Sequence, residues 1–534
     1  MGRVIFDNTP SAPVFNPIRA DVACFVGLVR LLPGASVPAN MSKWLNSLGY
    51  SSDQIQSITN IPVMVENYPN FSSIFDDGSA GTGFGTDYLA AGVRSFFAQG
   101  GKRCYVVRVD DPVTPNDTAL TKAAKLQKLL PNTAFAPDQA QSWTGVGSLA
   151  PLEEVSFLVT PDLPVLCASA PAAASGQLPV VPTGPEEFAP CSQGDITPQQ
   201  YRTFPSPAPR LAAADYVNWA ANVAVILNYL STGVQTHQLH LREIQFVTSF
   251  PIPQDNDPAT AVENPSSTEI AQDIHDVITT QMPERVLVPG TGVSPGNISS
   301  SFLQLAYPWL KTSGSGILLE SLEAPDGALA GLLARNALTR GTFTSATKIT
   351  PSEIYDVFPA LPAQELQTSA EPLVWADPPV GPPKPLIERI SLFGFTPTGL
   401  QLLSDVTAYP GETYRAGPVT RLTYVICRAA RQMGETAVFQ TNGPALWGRV
   451  QRFLQNLMTR LWNLNALDGD TASDSFSVRC DQSTMTQNDL DNGRLIAYVT
   501  FKAASIIETI TVKLAMETSA TSAQEITANL AEAI

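Results

Sequence analysis

The sequence predicts an α/β (α+β) protein of more than one domain, and three observations carry that prediction. Thr86–Val109 reads as one helix running directly into one strand. Strands and helices alternate between Asp215 and Ala337, the pattern of layered α/β units. The chain has 534 residues, of which 44% are hydrophobic. That is too much for one ordinary core and points to about two to four domains.

The elements follow in chain order. Residues 1–20 hold Pro10, Pro13 and Pro17 and little periodicity, so they read as an extended arm. Val4, Ile5 and Phe6 in it form a short β-type run suited to adding a strand to another chain. Residues 21–110 read as a compact α/β unit, with strands at Val22–Val29 and Ile61–Val65 and a helical turn near Trp44–Leu48. Its helix carries Leu89, Val93, Phe96 and Phe97 on one face. Gly100 and Gly101 end that helix, because glycine tolerates positive φ. The apolar, β-branched run Cys104–Val109 then reads as a strand covered on both faces.

Residues 111–215 are expected to be a surface insertion. Lys122–Leu130 is a short helix, but Pro161 to Pro209 is too rich in proline for continuous helix or central strand. Residues 216–345 read as a middle α/β domain. Tyr216, Trp219, Val223, Ile226, Leu227 and Leu230 share a helix face. Strands are expected at Gln245–Phe250, Arg285–Val288 and Gly316–Glu320, and helices near Ile270–Thr279 and Ala328–Ala337. Residues 346–385 form a proline-rich linker. Residues 386–515 form a further domain with helices Val419–Met433 and Leu446–Leu461 and strands Phe476–Cys480, Arg494–Lys502 and Glu508–Ala515. In the last strand Ile510, Val512 and Leu514 alternate inward. Residues 516–534 are a small polar tail.

Charge and chemistry narrow the function. A net charge of −16 argues against nucleic acid as the main partner, since phosphate binding needs a concentrated basic surface. Met1–Phe6 lacks the basic and apolar regions of a secretory leader, and no apolar run is long enough to span a membrane, so no direct membrane insertion is expected. Cys24, Cys104, Cys167, Cys191, Cys427 and Cys480 include no Cys-x-x-Cys pair. Cys24, Cys104 and Cys427 sit in apolar contexts, which fits folding in a reducing cytoplasm, and a Cys167–Cys191 pairing is left open. Gly81, Gly83 and Gly85 precede a helix but lack the Gly-Lys-Ser/Thr of a phosphate loop. His237 and His240 are spaced for one helix face, yet the third histidine, His275, is distant in sequence. There is no Gly-x-Ser-x-Gly and no carboxylate pair assignable to acid–base work. No catalytic, cofactor-binding or metal site is expected.

Several segments together resemble one family. Phe25-Val26-Gly27 closes an early strand, and Phe96-Phe97 before Gly100-Gly101 leads into Tyr105–Val109. Tyr307-Pro308-Trp309-Leu310 follows, then Ala324–Arg335 with Thr339-Arg340-Gly341. Val438–Asn442, Leu446-Trp447, Asn465–Leu467, Phe476–Asp481 and Gly493–Leu495 complete the series. In order and spacing these are similar to the contractile tail sheath family of phages and injection systems. The insertions at 111–215 and 346–385 carry none of the resemblance.

The resemblance implies a structural subunit and not an enzyme. Its core domain would be built from N- and C-terminal parts around a middle α/β domain. Such subunits polymerise as stacked hexameric rings around an inner tube and contract to drive the tube through a target envelope. Val4, Ile5 and Phe6, with Ile510, Val512 and Leu514, would be the inter-subunit strand arms. Partners would be other copies of the chain, the inner tube protein, and baseplate and terminal cap proteins. No cofactor is implied. Assembly would occur in the cytoplasm of the producing cell, as part of a phage tail or an injection particle.

One pattern bears on the tube independently. Between Arg415 and Arg460 lie Arg421, Arg428, Arg431, Arg449 and Arg452, with Glu435 as the sole acid. Arg421, Arg428 and Arg431 fall within about 80° on the first helix, and Arg449, Arg452 and Arg460 group likewise on the second. A basic face in an acidic chain suggests an acidic partner such as the inner tube; a solvated face, or pairing with acids such as Asp468 and Asp470, would give the same pattern. Two other classes stay open: an α/β enzyme with a site in Arg285–Leu338, and a different self-assembling shell protein.

Overall fold

The computed structural model describes residues 19–76, 86–114, 117–169 except 133, 135 and 137, 208–253 except 212 and 232–238, 298–360 except 299, 386–438 except 389, 410 and 411, 440–504, and 510–516.

Period-two alternation of apolar residues builds the central sheet. In β1 (Ala23–Leu28) every residue is buried. Cys24, Val26 and Leu28 enter one core, while Ala23 and Phe25 enter another on the opposite face. β2 (Pro62–Val65), β3 (Cys104–Asp110), β4 (Phe157–Val159), β5 (Gln245–Ser249), β6 (Leu303–Tyr307), β9 (Ser391–Thr396) and β10 (Gly399–Leu402) complete the sheet in the order β10-β9-β6-β5-β4-β1-β3-β2. The inner strands from β9 to β3 run parallel, and the two edges, β10 and β2, pair antiparallel. A second ribbon pairs β7 (Trp309–Thr312) with β8 (Ile354–Phe358) antiparallel.

Helices cover both faces, as a parallel sheet requires. α1 (Ala39–Ser47), α2 (Tyr88–Ala98) and α6 (Asp326–Thr339) pack on the face of Phe25. α3 (Ala119–Leu129), α4 (Leu163–Cys167) and α5 (Ala213–Ser231) pack on the other, with Trp219 wholly buried. α2 ends at Gly100, whose φ is +103°, and β3 begins at Cys104, as the sequence predicts. Phe96 is fully buried and meets Phe25 edge to face at 5.6 Å, a contribution of about 1.5–3 kcal/mol for the ring alone. α2 and α6 cross at glycine: a Cβ on Gly327 would lie 2.4 Å from the Gly92 carbonyl oxygen.

The last third forms a separate core. α7 (Gly417–Ala437) and α8 (Pro444–Asn463) pack on an antiparallel sheet of β11 (Phe476–Arg479), β12 (Leu495–Phe501) and β13 (Ile510–Met516). Ile426, Met458 and Val499 are fully buried at its centre.

Several expectations are corrected. The presumed surface insertion, 111–215, supplies β4, which sits between β1 and β5 in the middle of the sheet. β4 has only three residues, too few to show a period beside Pro161. Segments read as separate units at 21–110 and 216–345 share this one sheet, and so does the start of 386–515 through β9 and β10. Gly316–Glu320 is not a strand but two short 3-10 turns, Ser315–Ile317 and Leu319–Ser321, with Glu320 at φ +53°. The linker at 346–385 contains β8. The expected elements at Ile270–Thr279 and Arg285–Val288, the stretch Gly81–Gly85 and the tail from 517 lie outside the described residues.

Candidate functional site

α7 joins the terminal core to the sheet through its arginines. Its apolar side faces α8, while Arg421, Arg428 and Arg431 point toward the amino ends of the parallel strands. Arg421 donates to both oxygens of Asp405, at 2.9 and 2.6 Å, and both side chains are buried. Gln304 of β6 and the backbone N–H of Ala346 also donate to Asp405. Burial alone would raise the Asp405 carboxyl; Arg421 and these donors instead hold it below its ordinary value.

Arg428 is 2% exposed. Its guanidinium pairs with Glu243 at 3.3 Å and donates to the carbonyls of Arg19 and Val155, each at 2.9 Å, and to Ser156 Oγ at 3.0 Å. Arg19, Ser156 and Glu243 precede β1, β4 and β5, so one side chain ties down three strand starts. Burial pulls Arg428 below its ordinary value, and Glu243 opposes that pull. Arg431 forks onto Glu243 at 2.9 and 3.1 Å and also reaches Glu153 and Glu435. Although burial acts to lower Arg431, Glu243 raises it well above its ordinary value.

This corrects the reading of the first basic face. Arg421, Arg428 and Arg431 cannot present charge to a tube, because they are buried against acids of the same chain. Asp405, Glu243 and Glu153 are 16, 188 and 278 positions away from the arginines they meet, and no local pattern marks them as partners. The suggested partners Asp468 and Asp470 are not the ones used.

The second basic face is different. Arg449, Arg452 and Arg460 are all exposed on α8, a helix without an acidic residue. Arg449 donates to Gln440 Oε1 at 2.7 Å and Arg452 to the carbonyl of Gly448 at 3.0 Å. None of the three is ion-paired among the described residues. They form a solvent-facing cationic stripe.

The terminal sheet offers a second surface. β13 pairs antiparallel with β12 along its whole length, from Ile510 opposite Phe501 to Met516 opposite Leu495. Ile510, Val512 and Leu514 therefore belong to a strand placed in the chain's own sheet. β13 is the last strand in that sheet, so its outer edge faces no further strand among the described residues. Val4, Ile5 and Phe6 lie outside the described residues.

Among the parallel strands the order reverses between β1 and β4, and ligands bind outside the carboxyl ends of such a pair. Here Asp162 occupies that point, its Oδ2 accepting from the backbone N–H of Leu28 at 2.7 Å. His240 is buried against the Leu149 carbonyl, and burial lowers its pKa. His237, His275 and Cys191 lie outside the described residues; Cys24, Cys104, Cys167, Cys427 and Cys480 are free thiols. Among the described residues no group of three or more His, Cys, Asp or Glu is arranged to hold a metal ion, and no helix is long and apolar enough to cross a membrane.

No protein-family model and no curated protein matches the sequence. Solved structures do. A chain in the cryo-EM structure of the anti-feeding prophage baseplate superposes with a TM-score of 0.53 at 15% identity, over 95% of this chain and 96% of that one. A chain of the anti-feeding prophage helical sheath in its contracted state gives a TM-score of 0.51 at 16% identity, over 94% and 98%. The likeness covers nearly the whole of both chains, so the fold is like that of a contractile sheath protein.

Proposed function

We propose that the chain is the subunit of a contractile sheath, which polymerises as stacked hexameric rings around an inner tube and contracts to drive that tube through a target envelope. The observation that carries this is the fold likeness to a helical sheath protein over 94% of this chain and 98% of that one.

The physical logic rests on strand sharing. An edge strand carries a row of unpaired N–H and C=O groups that another chain can complete. Residues 1–20 of one subunit, with Val4, Ile5 and Phe6, add to the terminal sheet of a neighbour, whose own edge is the strand holding Ile510, Val512 and Leu514. Such links tolerate large rotations of the bodies they connect. The work of contraction then comes from the difference between two packings of the same subunit, summed over the polymer, without a nucleotide. The stripe of Arg449, Arg452 and Arg460 faces an acidic inner tube through a screened contact that releases when the sheath moves. Baseplate and cap proteins bound the polymer at its ends. Assembly takes place in the cytoplasm of the producing cell, and the product is a phage tail or an injection particle.

Electron microscopy of the purified full-length chain tests this. Tubes or stacked rings are expected; a monodisperse particle at all concentrations contradicts it.

A further inference from the structure

Arg94 is the only charged residue of α2, and it is half-buried. Its guanidinium carbon lies 5.9 Å from the centre of the Tyr68 ring, which belongs to the short helix Tyr68–Ser72. The loop that follows β7 packs on the same side chain. A Cβ on Gly314 would lie 2.7 Å from Arg94 Cδ and 2.8 Å from its Nε, so any larger residue there would displace the arginine. A guanidinium held against a ring and a backbone keeps little rotamer freedom, and its planar fork is pre-organised for a partner.

The chain itself supplies no such partner. An arginine carries five N–H donors. Those of Arg94 meet no hydrogen-bond acceptor and no ion-pair partner among the described residues. The acids in the neighbourhood are engaged elsewhere. The charge of Arg94 reaches buried Glu323, but the two oxygens of that carboxylate accept from the Ser95 and Thr312 hydroxyls. Exposed Glu353 turns onto the Ser313 hydroxyl. Arg428 and Arg431, by contrast, are filled by Glu243 of the same chain.

The space in front of the guanidinium is open. Tyr68, Arg94, Ser313, Gly314, Gly316 and Ile317 line one cleft. Gly316 is exposed, and no atom lies within 4 Å of the position its Cβ would take. The cleft therefore combines an aromatic wall, an aliphatic wall, one unpaired positive group and room for a side chain. The group that matches a guanidinium edge is a carboxylate, which accepts two parallel N–H···O bonds.

We propose that this cleft is a socket for an Asp or Glu side chain from a second copy of the chain. The charge balance argues for that source. The chain holds 48 acids against 32 lysines and arginines, so a carboxylate is the charged group that another copy offers most often. Copies with a net charge of −16 also repel one another, and a cationic receptor on each is what brings their surfaces into register. The proposal rests on the sheath reading only in that polymerisation brings copies together.

The test places a photo-cross-linker in the cleft of the full-length chain as Gly316→p-benzoylphenylalanine, where a new side chain enters open space. Isotopically light and heavy subunits are mixed under assembly conditions, irradiated and read by mass spectrometry. Cross-links between a light and a heavy chain are expected, with Asp or Glu in the attached peptide. Adding Arg94→Met, which keeps the stem against Tyr68, should lower their yield by about tenfold or more, the scale of one hydrogen-bonded charge contact. If that variant does not fold, neutralising the acid that the cross-link identifies should lower the yield equally with Arg94 intact. No mixed-label cross-link, or a yield that neither change lowers, would overturn the socket. Tubes without mixed-label cross-links would overturn it and leave the sheath reading standing, whereas mixed-label cross-links without tubes would support the socket and contradict the sheath.

Discussion

Arg428 and Glu243 stand 185 positions apart in the chain and 3.3 Å apart in space, and both are almost wholly buried. Their pairing fixes α7, and with it the terminal unit, onto the amino ends of β1, β4 and β5. A helix that reads locally as an outward basic face is the clamp between the two parts of the subunit.

Breaking that clamp should destabilise the fold. Arg428→Met strands Glu243 beside Arg431 alone and leaves the carbonyls of Arg19 and Val155 without their donor. Removing one partner of a buried pair costs about 3–5 kcal/mol. Urea midpoints for Arg428→Met, Glu243→Gln and the double variant should show clear non-additivity. An Arg428→Met midpoint equal to wild type would contradict the clamp.

The exposed stripe should behave in the opposite way. Arg449→Glu, Arg452→Glu and Arg460→Glu together should leave the unfolding midpoint within about 0.5 kcal/mol of wild type, since surface changes rarely exceed that. The same triple variant should fail to assemble on its inner tube. Unimpaired co-assembly, scored by sedimentation and microscopy, would remove the electrostatic role. Charge reversal at Arg428 or Arg431 is not an equivalent experiment, because it would disrupt the fold first.

Acid should release a different contact. Asp405 is held below its ordinary pKa by Arg421, so its stabilising effect is present above the unfolded value of about 4 and is lost as pH falls through and below it. Wild type should therefore lose stability steeply below about pH 4, and Asp405→Asn should flatten that limb while lowering stability at neutral pH. An unchanged acid limb would show that the Arg421–Asp405 pair does not set it.

The sequence made the α2–β3 unit legible because its signals are local: Leu89, Val93 and Phe96 share a helix face, glycines stop the helix, and Cys104–Val109 is continuously apolar. The terminal helices and strands were equally clear, since their amphipathic periods are long. What could not be read was long-range. β4 is three residues beside a proline, and its place between β1 and β5 follows only from the pairing of strands far apart in sequence. The destination of Arg421, Arg428 and Arg431 was hidden for the same reason, because a burying partner leaves no mark on the arginine's own neighbours. Arg449, Arg452 and Arg460 were legible as a cationic face because nothing in the described fold covers them.

The amino-terminal arm gives a further expectation. Deleting Met1–Pro10 should leave a soluble subunit with a wild-type unfolding midpoint, because the proposed role of this arm is in a neighbour's sheet. Tube formation should be lost, as judged by negative-stain microscopy. Normal tubes from this deletion would count against strand exchange.

The measurement that bears most directly on the sheath reading is a cryo-EM structure of the assembled full-length chain. Strand sharing requires a helical tube of stacked rings in which residues 1–10 of one subunit extend the sheet of β11, β12 and β13 in another. An assembly in which every chain keeps both its ends within its own body, or a chain that stays monomeric with its inner tube present, would contradict it.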